Sequence, residues 1–218
     1  MTELLDEIVD CDVGKLQDIL NEHAEDIDED MLGDALARIC QSGNPEKAQI
    51  LIHAGADVNY SDSSDYQSPL EEVICSQPDK GCFETVKLLI DNGAYLDEST
   101  NEDTWDTPLH LAATFELPDI MMLLIKSGAQ LNVLNREGYT PLGSAICGNH
   151  NESAKILLEN GADVNVPDSE NLLYNAIIHN TEMVPILLKA GANVDEAIEC
   201  ATRRFRPEIA QMICKYTT

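Results

Sequence analysis

Five histidines and seven cysteines are the residues of this chain best suited to binding a metal or attacking a carbonyl, and their spacing supports neither chemistry. His23, His53, His110, His150 and His179 lie far apart and share no motif. The cysteines form no CxxC pair and no ligand-like pattern, so they read as structural thiols rather than disulfides or zinc ligands. The sequence holds no HExxH helix and no glycine-rich phosphate loop. Cys147 is followed by His150, which raises a thiol–imidazole pair, but no third group in the sequence stands ready to orient the base. Carboxylates are abundant and nothing singles out a pair. The expectation is a protein that is not an enzyme, with no catalytic residues, cofactor or metal.

The charge points elsewhere. There are 40 Asp plus Glu against 13 Lys plus Arg, a formal net charge of -27. Such a field repels nucleic acid and anionic membrane surfaces and attracts basic proteins. The competing reading is that the acid only keeps a small-core protein soluble. Apolar content is 44% and aromatic content 5%, which suits small-residue helix packing better than a sandwich or barrel. The start, MTELLDEIVD, is acidic without a long apolar run, so it reads as neither signal peptide nor membrane anchor. Together with the structural thiols this predicts a cytoplasmic protein, monomeric on its own.

The elements that must position any site are legible from Thr107 to Asn132. Thr107 is a helix N-cap, and Pro108 sits at the first helical position, where its missing N–H is no loss. Leu109, Leu111, Ala112 and Ala113 give a short helix with a narrow apolar face. Leu117-Pro118 breaks and restarts the chain. Ile120, Met121, Leu123, Leu124 and Ile125 recur at helical spacing, and Gly128 ends the second helix. Such a pair cannot bury its apolar face alone.

The chain supplies copies. The helix-ending glycine recurs as Gly55, Gly93, Gly128, Gly161 and Gly191, at intervals of 38, 35, 33 and 30 residues. It opens GADVN, GAYLD, GAQLN, GADVN and GANVD in turn. Matching helix starts are Ser68-Pro69-Leu70, Thr107-Pro108-Leu109 and Thr140-Pro141-Leu142. This pattern resembles the ankyrin-repeat family, whose unit is about 33 residues with a TPLH helix start. The resemblance implies an all-α ankyrin-repeat solenoid of stacked helix-turn-helix units with short β-hairpin-like fingers. It also implies one domain over 1–218: an N-terminal cap at 1–30, five repeats at 31–195 and a C-terminal cap at 196–218. Counting back 21 residues from Gly55 and Gly191 places less obvious first helices at Asp34 and near Glu170. Residues are added around Gln77–Cys82, and Pro185 falls inside a second helix, which should start late or bend. Arg38 takes a usually apolar position.

In this family the finger tips and the exposed ends of the first helices line a concave partner face. Carried over residue by residue, the tips here are Tyr60, Asp62, Asp65, Tyr66, Glu102, Asp103, Trp105, Asp106, Arg136, Glu137, Tyr139, Asp168 and Ser169. The first-helix ends are Gln41, Ser42, Cys75, Ser76, Thr114, Phe115, Cys147, Gly148, Ile177 and Ile178. Trp105, the only tryptophan, reads either as a binding anchor or as a prop between fingers. Arg203 and Arg204, in a locally basic last unit, either mark one end of the footprint or offset nearby acids and helix dipoles. The resemblance gives His110 a bond between neighbouring units. Asp57 and Asp163 read as structural. Asn59, Asn132 and Asn165 occupy a position hydroxylated in some family members, or else stabilise the hairpins.

The expectation is a non-enzymatic module that binds another, basic protein. One form is an inhibitor or immunity protein of a toxin or nuclease. The alternative is a scaffold or regulatory adaptor that recruits a client without inhibiting it. No nucleic acid or membrane partner is expected.

Overall fold

In the computed structural model, described residues are 2–61, 68–76, 82–99, 103–167, 171–194, 197–204 and 206–216. They contain fourteen α-helices, one 3₁₀ turn and no strand. The chain divides into two compact units, 1–102 and 103–218. No described helix is long and apolar enough to cross a membrane.

The first unit holds α1 (Thr2–Asp10), α2 (Val13–Glu22), α3 (Glu29–Gln41), α4 (Pro45–His53), α5 (Pro69–Cys75) and α6 (Cys82–Asp91). α1, α3 and α5 pack side by side as one layer, and α2, α4 and α6 as the other. Leu5, Ile8, Leu16, Leu36, Leu51, Leu70, Val86 and Leu89 fill the space between them.

The second unit holds α7 (Pro108–Thr114), α8 (Pro118–Lys126), α9 (Pro141–Cys147), α10 (Asn151–Glu159), α11 (Leu172–His179), α12 (Val184–Lys189), α13 (Ala197–Arg203) and α14 (Pro207–Tyr216). α7, α9, α11 and α13 form its first layer; α8 packs on α10, and α12 on α14. Leu109, Met121, Leu124, Leu142, Leu157, Leu173 and Leu187 are fully buried, so truncating one to alanine should cost roughly 2–5 kcal/mol.

Local chemistry explains where these helices begin and end. The side chains of Asn44, Thr107, Thr140 and Asn171 each accept the amide of the residue three ahead. Ser68 closes a reciprocal capping box with Glu71. Pro45, Pro69, Pro108, Pro118 and Pro141 sit in the first turn. The five recurring glycines all take positive φ, between 83° and 103°. After each, an alanine amide donates back to the leucine carbonyl five residues earlier at 3.0 Å, as in Ala129 to Leu124. This doubled closure requires the left-handed conformation that glycine adopts without strain. Pro185 acts as expected: a 3₁₀ turn, Thr181–Met183, precedes a short α12 that begins at Val184.

Two departures have physical causes. α3 begins at Glu29, not at Asp34, because Asp28 caps it by accepting the Met31 amide at 2.8 Å. Met31 and Leu32 are buried, so the extra turn has an apolar face of its own. Asp34 lies inside the helix, where its carboxylate accepts Arg38 Nε at 3.1 Å, and Arg38 Nη1 reaches Asp6 on α1 at 3.2 Å. That bridge accounts for a cation at an apolar position. At the other end α11 starts at Leu172, with Asn171 as its cap; Glu170 lies outside the described residues. So does the insertion around Gln77–Cys82, except for Cys82, whose buried thiol donates to the Val73 carbonyl at 3.3 Å.

Candidate functional site

The second unit brings two loops together as a braced ridge: residues 103–107, ahead of α7, and 133–140, ahead of α9. Asn135 organises it. Its Oδ1 accepts the amides of Glu137 at 3.1 Å and Tyr139 at 2.9 Å, and its Nδ2 donates to Asp106 Oδ1 at 2.8 Å. The Arg136 amide donates to the Thr104 carbonyl at 2.8 Å. Main chain and one amide side chain thus fix both loops.

His110 anchors the ridge from below. Its Nδ1 accepts the Thr107 amide at 3.2 Å, so Nε2 carries the proton and donates to the Tyr139 carbonyl at 3.0 Å. Burial lowers its pKa from 6.5, against the opposing pull of the Tyr139 carbonyl, Asp106 and the Val133 carbonyl. The imidazole is a neutral strut between successive repeats, the role implied for it.

On top stands Trp105. It keeps 54% of its surface exposed and takes φ +55°, a conformation that strains a bulky residue by about 1 kcal/mol. The Arg136 guanidinium lies 5.9 Å from the ring centroid, and its Nη1 is 3.8 Å from Asp103 Oδ1. Glu137 is exposed beside them, while Tyr139 is half-buried against the Gly143 backbone.

The other expected contact residues are dispersed. Phe115 ends α7 and is 45% exposed. Ile178 is half-buried on α11, but Ile177 is wholly buried and presents nothing to solvent. Arg203 and Arg204 are exposed at the end of α13, with Arg203 paired to Glu199. In the first unit Tyr60 is half-buried and lies on Gly33, where an added Cβ would come within 2.3 Å of its ring. Asp62, Asp65, Tyr66, Glu102, Asp168 and Ser169 lie outside the described residues.

Several side chains prove to be scaffold. Asp57 and Asp163 accept the amides of Asn59 and Asn165 within their own turns. Asn59 then donates to the Gly93 carbonyl and accepts the Tyr95 amide in the next repeat. Asn165 does the same toward Gly191 and Asn193, and Asn132 accepts the Asp163 amide. The bracing role of Asn135 is not singled out by the sequence reading, although Asn-Arg-Glu-Gly is a turn signal and Gly138 takes φ +80°. Glu116 is likewise not singled out by the sequence reading. It takes φ +53° and lies 3.6 Å from His150 Nδ1, giving that imidazole a carboxylate neighbour across a half-exposed pair of turns.

Little here resembles a reaction centre. The cysteines are thiols rather than disulfides, and burial pushes those of Cys11, Cys40, Cys82 and Cys200 up, away from the nucleophilic thiolate. No group of described residues could hold a metal ion. An open groove of about 390 Å³ between α4 and α6 is lined by Pro45, Glu46, Gln49, Glu84, Lys87, Leu88 and Asp91.

A family model for ankyrin repeats matches three copies over residues 70–168. The chain belongs to the ankyrin-repeat family. It is 29% identical to Rabankyrin-5 of Homo sapiens over 184 residues, 77% of this chain and 15% of that protein. Against a putative ankyrin repeat protein of fowlpox virus (strain NVSL) it is 31% identical over 68% of this chain and 40% of the relative. Against ankyrin repeat and SOCS box protein 6 of Homo sapiens it is 30% identical over 68% and 38%. The chain therefore spans less than half the length of these relatives. Ankyrin repeats are a non-enzymatic fold used for protein–protein interaction, and the TPLH copy at 107–110 of this ankyrin chain is the one that carries its ridge.

Proposed function

We propose that this ankyrin chain is a non-enzymatic module that binds a basic protein, with the ridge around Trp105 as the centre of its footprint. The observation that carries the reading is the placement of Trp105: a large aromatic, held in a strained conformation, more than half exposed, on loops braced by other groups. Such strain persists where surrounding structure enforces it, and it clusters at binding sites. Asp103, Asp106 and Glu137 beside it suit a cationic partner. Phe115, Ile178, Arg203 and Arg204 extend the footprint along the first helices of the same unit, and Tyr60, Asp62, Asp65, Tyr66, Glu102 and Asp168 are further contact residues that the family resemblance implies. Cytoplasmic action as an inhibitor or immunity protein of a basic enzyme is the sharpest form. The adaptor form is supported by the relatives, in which the matching region is 15% to 40% of a longer chain.

The test begins with affinity capture from native lysate through a salt series, because a charge-matched complex releases as salt rises. Against the captured partner, alanine at Trp105 or Tyr139 should each weaken binding by more than roughly 2 kcal/mol. No measurable loss for either removes the ridge from the footprint. Loss of the partner's own activity on adding this chain separates inhibitor from adaptor.

A further inference from the structure

We infer that the Trp105 indole is a seat for a cationic side chain of the partner, and that the chain's own Arg136 occupies this seat in the free protein. The inference rests on the ridge being the partner surface. Arg136 approaches the ring at 5.9 Å, near the outer reach of a cation–π contact. Its side chain is 56% exposed, and the Asp103 carboxylate 3.8 Å away is 98% exposed, a pair worth little in water.

The seat outlasts its occupant. The Arg136 main chain is tied to Thr104, and Asn135 ties Asp106, so bonds that do not involve the guanidinium brace both loops. The φ of +55° belongs to Trp105 itself. A partner arginine or lysine entering here meets the indole, the Asp103 carboxylate and a chain of net charge -27. It displaces Arg136, which then adds its positive charge to the rim. Arg136 is therefore a competitor that weakens the complex it borders, and it sets a threshold that only a well-placed cation passes.

Trp105 is the sole tryptophan, so its fluorescence reports the seat directly. The probes are acetyl-Gly-Arg-Gly-amide, the same peptide with lysine, and the neutral isostere with citrulline. The expected result is a saturable change with the arginine or lysine peptide, at least about threefold tighter than with citrulline. Arg136→Gln should tighten the cationic peptides by about threefold or more, while Arg136→Lys should leave them near wild type. Far-UV circular dichroism confirms that both variants fold. Equal response to citrulline, no saturable response in wild type and Arg136→Gln alike, or weaker binding by Arg136→Gln overturns the inference. Partner capture by Trp105→Ala keeps the two readings apart. Capture lost without peptide discrimination sinks the seat and leaves the ridge; capture unchanged sinks the ridge itself.

Discussion

Replacing Trp105 with asparagine separates an anchor from a prop. At φ +55° a bulky residue is strained by about 1 kcal/mol, and asparagine tolerates that conformation, so the change relieves most of this. Against that stands the contact with Arg136 at 5.9 Å, worth about 0.5–1 kcal/mol at an exposed site. With 54% of its surface already in water, the ring gives up only part of the burial energy of a core tryptophan. The strain relief and the lost cation–π contact are of the same size and offset, so the buried part of the ring sets the net loss, about 1–2 kcal/mol of folding stability. For a chain of this length that is a fall in Tm of about 2–8 °C. A tryptophan that truly holds two fingers together would instead cost about 3–5 kcal/mol. Urea and thermal unfolding followed by circular dichroism decide between these values. The same variant, measured against the captured partner, should lose more than roughly 2 kcal/mol of affinity. A large loss of stability with affinity intact in the folded fraction would refute the reasoning and make Trp105 a structural prop.

Three further outcomes follow from named contacts. Burial holds His110 neutral with a pKa below 6.5, so at intermediate pH the unfolded chain binds the extra proton and the folded chain does not. Its contribution is complete above pH 6.5 and drains as pH falls toward the folded value. His110→Gln retains a capping residue, and its stability gap from wild type should narrow from pH 7.5 to 5.5 in paired urea titrations; a constant gap contradicts this. Asn165→Ala removes the bond to Gly191 at 2.9 Å and the one from Asn193 at 2.7 Å, and should cost about 1–2 kcal/mol by chemical denaturation. Gly33→Ala, which on an open helix would gain about 1 kcal/mol, should instead lose about 1–3 kcal/mol because its Cβ meets the Tyr60 ring; any stabilisation in urea would rule that out.

Much of the scaffold was legible because the signals are short-range. Thr107-Pro108, Thr140-Pro141 and the five glycines act within one helical turn, and each lies where its chemistry requires. The start of α3 was misjudged because counting from Gly55 assumes a fixed unit length, whereas Asp28 and the buried Met31 and Leu32 set the boundary. Arg38 had no account until Asp6, distant in sequence, came beside it. The ridge followed the same division. The repeat phase put Trp105 on a tip, but Arg136 over its ring and Asn135 beneath it depend on contacts between residues about one repeat apart. Tyr60 looked equivalent to the other tip aromatics until its packing on Gly33 became visible.

The bonds that hold loops 103–107 and 133–140 in place come from peptide groups and from Asn135, Asp106 and His110, none of which is a fully solvent-facing side chain. Positions 103, 105, 136 and 137 are the exposed positions of the same two loops. A randomised library at those four sites, with the struts left intact, should yield folded proteins that differ in what they recognise.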